Sequence, residues 1–190
     1  MSSSIVPAVD TEVAALMARL GSEVRRITSD SRDVRAGDAF AAYPGTRHDG
    51  RAFIADAIQR GAGAVLWEIR GLNWNHAWKL PHLPIEDLKS KVGVIADFIY
   101  GHPSRDLWIV GVTGTNGKTS CAHWIASGLE DTGRRSAVLG TLGNGLLGSL
   151  APATNTTPDA ALLHETLAAL KSAGAESKPF SMRPLGSEVA

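Results

Sequence analysis

Gly111-Val-Thr-Gly-Thr-Asn-Gly-Lys-Thr119 is the stretch on which the reading of this chain turns. Before it lies an almost wholly apolar run, Leu107-Trp-Ile-Val-Gly-Val112. After it, Cys121, Ile125 and Leu129 recur one turn apart. The order is strand, glycine-rich loop, helix. Glycine lets a backbone approach an anion closely, and the free N–H groups of a helix N-terminus meet its charge. Gly114 and Gly117 supply the permissive positions. Lys118 would set an ammonium against the β- and γ-phosphates of a nucleotide, and Thr119 would offer its hydroxyl to Mg²⁺. The strict pattern G-x-x-x-x-G-K-[ST] fails at its first glycine, where Val112 stands. A glycine-rich turn with an exposed lysine is the plain alternative. The strand before and the helix after favour phosphate, and ATP is the expected nucleotide.

Downstream, Gly133 ends the helix and Ser136-Ala-Val-Leu-Gly140 reads as the next strand, which makes one βαβ unit. Apolar runs such as 107–112 suit parallel strands covered on both faces. Residues 141–156 read as a Gly- and Thr-rich loop. Thr157 is the expected cap of a further helix, with Pro158 at its first position and Leu162, Leu163, Thr166, Leu167 and Leu170 on its face.

Upstream, the pattern predicts a helix over 10–20 capped by Asp10, a strand over 24–29, a loop over 30–33 and a strand over 38–43. A helix over 51–60, a strand over 64–67 and a helix over 87–100 follow. Residues 69–84 resist assignment: Gly71, Asn73, Asn75 and two prolines argue for loop, while Trp74 and Trp78 argue for packing. Gly101-His-Pro-Ser104 breaks the chain. The expected fold class is therefore α/β. A small N-terminal α/β domain over 1–104 precedes the start of a P-loop parallel-sheet domain over 105–190.

Bulk properties exclude several functions. Lys and Arg balance Asp and Glu at 19 each, which gives no electrostatic footprint for nucleic acid or an anionic membrane. The lone Cys121 allows no internal disulfide and fits a reducing cytoplasm. The N-terminus lacks the basic and apolar regions of a signal peptide. No apolar stretch reaches the roughly 18–20 residues of a membrane span.

The variant loop has a family counterpart. Thr113-Gly-Thr-Asn-Gly-Lys-Thr119 resembles the ATP loop of the Mur ligases, which build the peptide stem of bacterial cell-wall precursors; folylpolyglutamate synthases carry a similar loop. Thr28-Ser-Asp-Ser-Arg32, Gly37-Asp-Ala-Phe40, Gly45 and Asp49-Gly50 resemble the first domain of two Mur ligases. One adds the third stem residue, the other D-alanyl-D-alanine. Gly140-Thr-Leu-Gly-Asn-Gly145 and Asn155-Thr-Thr-Pro158 favour the third-residue type. The resemblance runs from about residue 24 to about residue 173.

That resemblance implies roles. Thr113, Gly114, Thr115, Asn116, Gly117, Lys118 and Thr119 would hold ATP, with Lys118 catalytic and Thr119 on Mg²⁺. Ser29, Ser31, Thr46, Arg47 and His48 would meet the UDP-sugar, and Asn155, Thr156 and Thr157 the sugar-peptide. The substrates would be UDP-MurNAc-L-Ala-D-Glu and a diamino acid, meso-diaminopimelate or lysine, joined through an acyl phosphate. Plainer readings stand beside these: Asp30-Ser-Arg32 as a solvated turn, His48 as a surface histidine, Arg47 paired with Asp49, Thr157 as only a cap. From about residue 174 the tail departs from the family pattern, and the chain alone is not expected to turn over. A P-loop kinase or ATPase, a non-catalytic nucleotide-sugar module and the D-alanyl-D-alanine-adding ligase remain as alternatives.

Overall fold

The computed structural model describes residues 5–46, 48–152 and 158–175. Contacts divide the chain into two compact units. The first runs to Gly101 and includes Asp159–Glu165; the second comprises His102–Pro158 and the chain from Thr166 onward. The class is α/β, as expected.

The first unit is a four-stranded parallel sheet in the order β1 (Ile27–Thr28), β2 (Ala39–Ala42), β3 (Ala64–Glu68), β4 (His82–Ile85). Every residue of β2 and β3 is buried, so both faces of the sheet are covered. Side chains alternate between those faces. Ala39, Ala41, Ala64 and Leu66 join one core with helices α1 (Ile5–Leu20) and α3 (Leu88–Ile99). Phe40, Ala42, Val65 and Trp67 join the other with α2 (Ile54–Gln59).

Several expectations shift. Helix α1 begins at Ile5, so Asp10 lies inside it and is not its cap. Strand β4 falls within the stretch that resisted reading, and its Pro84 is tolerated because β4 is an edge strand. The tryptophans of that stretch close the second core. Trp74 stacks on Trp67 with centroids 5.6 Å apart and on His82 at 3.9 Å, and meets Trp78 edge-on at 5.0 Å.

Two polar groups, one buried and one half-buried, tie the unit together. Glu68, 6% exposed, accepts from the backbone N–H of Leu88 at 2.9 Å and so caps α3 from the sheet. Asp87, the residue before α3, has left-handed backbone and makes no side-chain cap bond. Arg26 meets three carboxylates: Asp33, Asp38 and, at 2.7 Å, Glu165. Burial works against its charge, but those bonds more than offset it and hold the guanidinium above its ordinary pKa. At the β1 edge, next to Arg26, the Tyr100 hydroxyl accepts from Ile27 N–H and donates to Ile27 C=O, each at 3.3 Å.

The second unit departs further. Helix α5 (Lys118–Asp131) starts where expected. Residues 107–112, however, form no ladder with any described residue, and β5 (Ala137–Gly140) pairs antiparallel with β6 (Gly143–Leu146), which pairs with β7 (Ser149–Ala151). The expected loop over 141–156 therefore contains a hairpin. A strand assignment rests on a partner, and composition alone does not supply one. Gly145 makes the hairpin possible: a Cβ there would sit 2.5 Å from the Ser149 carbonyl oxygen. Helix α6 (Ala160–Ser172) begins after the expected Thr157–Pro158 start, and its cap is Asp159, whose Oδ1 accepts from Leu162 N–H at 2.9 Å. A short helix, α4 (Pro103–Asp106), follows the Gly101 break. No helix of the described residues is long and apolar enough to cross a membrane.

Candidate functional site

The glycine-rich loop takes a shape that only its sequence allows. Gly117 stands at the N-terminus of α5 with φ 76°, and Gly114 has φ 141°. A residue with a Cβ pays roughly 1–2 kcal/mol for left-handed backbone. These two glycines let the chain turn from the apolar run into α5 with its first N–H groups unblocked. The turn is anchored where Cys121 N–H donates to Gly117 C=O at 2.9 Å.

The loop is open to solvent: Thr113, Gly114, Thr115, Asn116, Gly117 and Lys118 are all exposed. Lys118 folds over it, its Nζ donating to the carbonyls of Gly114 and, at 3.3 Å, Thr115. Thr119 is half-buried, and its hydroxyl lies 3.2 Å from that of Thr141. The sequence reading missed Thr141 as a neighbour, although Gly140-Thr-Leu-Gly143 had drawn attention for its resemblance. A concave backbone, a helix N-terminus and an ammonium at the rim fit a phosphate chain. The Thr119 and Thr141 hydroxyls fit a hydrated divalent cation, as neutral oxygen ligands that leave waters in place.

In the first unit the expected substrate residues gather at the C-terminal ends of β1 and β2, where open parallel sheets carry ligands. Ser29 follows β1. Its hydroxyl bonds to Asp159 and to Tyr43. Burial pushes the Tyr43 phenol up, and the bond to Ser29 opposes that shift. Neither Tyr43 nor Asp159 was among the expected site residues; Asp159 is 130 positions from Ser29, beyond any local pattern. Ser31 is 7% exposed, and its side-chain bond to Asp56 holds that carboxyl below its usual range. Asp30 caps the turn over Ser31–Asp33 by accepting from Arg32 N–H at 2.9 Å, and Arg32 in turn holds the Asp30 carboxyl low.

Thr46 and His48 are exposed on a tight turn after β2. Gly45 N–H donates to His48 C=O at 2.9 Å, and Pro44 bridges Asp49. Asp49 is taken by Arg51 at 2.7 Å. Arg47, Asn155, Thr156 and Thr157 lie outside the described residues, as does the tail from 176.

Two family models match this chain. Residues 23–100 match "Mur ligase family, catalytic domain" and residues 112–178 match "Mur ligase middle domain". Curated relatives include the UDP-N-acetylmuramoyl-L-alanyl-D-glutamate–2,6-diaminopimelate ligases of Nitrosomonas europaea and Chromobacterium violaceum. The first is 46% identical over 86% of this chain and 32% of its own length. The second is 44% identical over 85% of this chain and 33% of its own length. The chain thus spans about a third of the length of these relatives. Among solved structures, a ligase of the same name aligns with a TM-score of 0.63 and 30% identity, over 80% of this chain and 30% of that one. A MurF ligase from Thermotoga maritima in complex with ADP aligns with a TM-score of 0.50 and 28% identity, over 76% of this chain and 29% of that one.

Proposed function

Because the chain belongs to the Mur ligase family, we propose that it serves the ATP-dependent ligation of 2,6-diaminopimelate to UDP-N-acetylmuramoyl-L-alanyl-D-glutamate in peptidoglycan precursor synthesis. The observation that carries this reading is the loop itself. Gly114 and Gly117 adopt positive φ directly before α5, with Lys118 folded over the concavity. The relatives' names supply the substrates, and the ADP-bound neighbour supports ATP as the nucleotide.

In this reading residues 1–104 take the UDP-sugar and residues 105–190 take ATP and Mg²⁺, in the cytoplasm. The γ-phosphoryl passes to the substrate carboxylate, and the diamino acid's amine displaces phosphate from the resulting acyl phosphate. The chain's part is positioning and neutralisation of charge. Thr113, Thr115 and Asn116 frame the loop, and Lys118 transfers its ammonium from the loop carbonyls to phosphate oxygens. Thr119, with Thr141 beside it, would hold Mg²⁺ through its hydroxyl, where the ion would neutralise phosphate charge. Ser29, Thr46, Arg47 and His48 orient the UDP-sugar, with Ser31 supporting the turn beneath, and Asn155, Thr156 and Thr157 meet the sugar-peptide.

Isothermal titration of ATP with Mg²⁺ tests the reading. A charged hydrogen bond contributes roughly 1.5–3 kcal/mol, so Lys118→Ala should weaken binding about tenfold or more. Equal affinity, or no binding by the unaltered chain, overturns it.

A further inference from the structure

Asp159 uses both oxygens of its carboxylate. Oδ1 accepts from Leu162 N–H at 2.9 Å and caps α6. Oδ2 accepts the hydroxyl proton of Ser29. One oxygen suffices for a helix cap, and the second bond is not needed to hold either partner in place. The turn that carries Ser29 is closed by its own neighbours. Asp30 N–H donates to Thr28 Oγ1 at 3.2 Å, Arg32 N–H donates to Asp30 at 2.9 Å, and the Ser31 side chain bonds to Asp56. The start of α6 belongs to the same unit and is held there by Ala161, 1% exposed, and by Glu165 on Arg26.

What the bond does fix is the direction of one proton. A serine hydroxyl has one proton to donate and two lone pairs that accept, whereas an ionised carboxylate only accepts. Ser29 therefore spends its proton on Asp159. The Tyr43 phenol, which bonds to the same hydroxyl, can then only donate to it. One lone pair of Ser29 Oγ is left. Ser29 is half-buried and Asp159 exposed, so an incoming molecule can reach the pair at the C-terminal end of β1.

We infer that Asp159 is a positioning residue for the UDP-sugar: it holds Ser29 as a hydrogen-bond acceptor, so the substrate group that meets Ser29 is an N–H or O–H and not a diphosphate oxygen. The inference rests on the function proposed above for the first unit. Diphosphate and carboxylate groups bring acceptors alone, and an acceptor facing an acceptor makes no bond. The uracil imide, the ribose hydroxyls, and the hydroxyls and amides of the sugar-peptide all bring donors. Asp159 touches none of them in this account; it acts through Ser29.

Asp159→Asn tests it. The amide keeps an oxygen for the Leu162 cap and sets an NH₂ where Oδ2 stood. That NH₂ donates to Ser29, whose own proton must turn outward. UDP-MurNAc-L-Ala-D-Glu is titrated into the full chain by calorimetry. Asp159→Asn should weaken binding about tenfold, and Ser29→Ala by a similar factor. The double variant should bind no worse than Ser29→Ala alone, whereas a residue that only capped α6 would cost the same in both backgrounds. Amide exchange at Leu162 should be unchanged in Asp159→Asn, which shows that the cap is intact. UDP titrated in parallel locates the donor: a loss that persists with UDP places it on the uridine, and a loss confined to the whole substrate places it on the sugar-peptide. Tighter binding by Asp159→Asn would mean that the substrate offers Ser29 an acceptor, and overturns the inference. Unchanged binding, or losses that add in the double variant, overturn it too, and leave the proposed function standing. No binding of either molecule by the unaltered chain overturns the proposed function and this inference with it.

Discussion

The two units spend similar sequence on opposite outcomes. The first closes a sheet between two layers: both clusters of buried residues belong to it, and its two central strands are buried throughout. The second carries the loop with the most specific chemistry, yet forms no such core among the described residues. Trp124 is 72% exposed there and Leu142 68%. The difference teaches that apolar residues build a core only when elements exist on both sides of them. Leu107–Val110 are as apolar as β3, but β3 has ladders on both edges and 107–110 have none among the described residues.

Paired substitutions can break this contrast. Phe40 is fully buried and Trp124 largely exposed. Phe40→Ala should cost about 3–5 kcal/mol of the first unit's stability. Trp124→Ala should change the second unit by within about 0.5 kcal/mol. Urea unfolding followed by exchange at each unit's amides distinguishes them, and similar losses would mean that the second unit has a core after all.

Arg26→Met sharpens the picture of the first unit. It strands the Asp38 carboxylate in the interior and frees Glu165. Removing one partner of a fully buried pair costs about 3–5 kcal/mol; with Asp33 and Glu165 part-exposed the loss should be smaller, about 1–3 kcal/mol, read as a lower urea midpoint for β2 and β3. Glu68→Ala removes the cap of α3 and should cost about 2 kcal/mol. Exchange at Leu88 and Ser90 amides should rise before that of β3.

The smallest effect is a pH dependence. Burial pushes the Tyr100 phenol up to about 12, with its bond to the Ile27 backbone opposing. A group whose acid form is favoured in the fold weakens the fold where only the unfolded chain ionises. Stability should therefore fall as pH rises from about 10, the ordinary tyrosine value, to about 12. Tyr100→Phe should flatten that limb in thermal melts taken across the same range.

What the sequence disclosed follows the range of the forces involved. The loop at 113–119 was legible because its conformation is set by its own glycines and the helix that follows. β2 and β3 were legible because burial on both faces leaves an unbroken apolar run. Strand β4 was hidden by Pro84 and by tryptophans whose partners lie across the sheet. β6 was hidden because Gly143 and Gly145 read as loop, whereas the facing carbonyls of β7 leave no room for anything larger. The Ser29–Asp159 bond joins distant positions and left no local trace. Much of the family-like motif in the first unit serves the fold: Asp30 caps a turn, Asp38 holds Arg26, and Asp49 holds Arg51.

Lys118 shows a related double duty. Its ammonium rests on the carbonyls of Gly114 and Thr115. Under the proposed function, a phosphate would not meet a waiting charge; it would compete with two oxygens of the loop that already hold it. The lysine's share in affinity is then the difference between two sets of bonds. The same contacts tie the loop's start to the helix that follows, so the lysine proposed to meet phosphate is also a cross-brace that keeps the loop in shape.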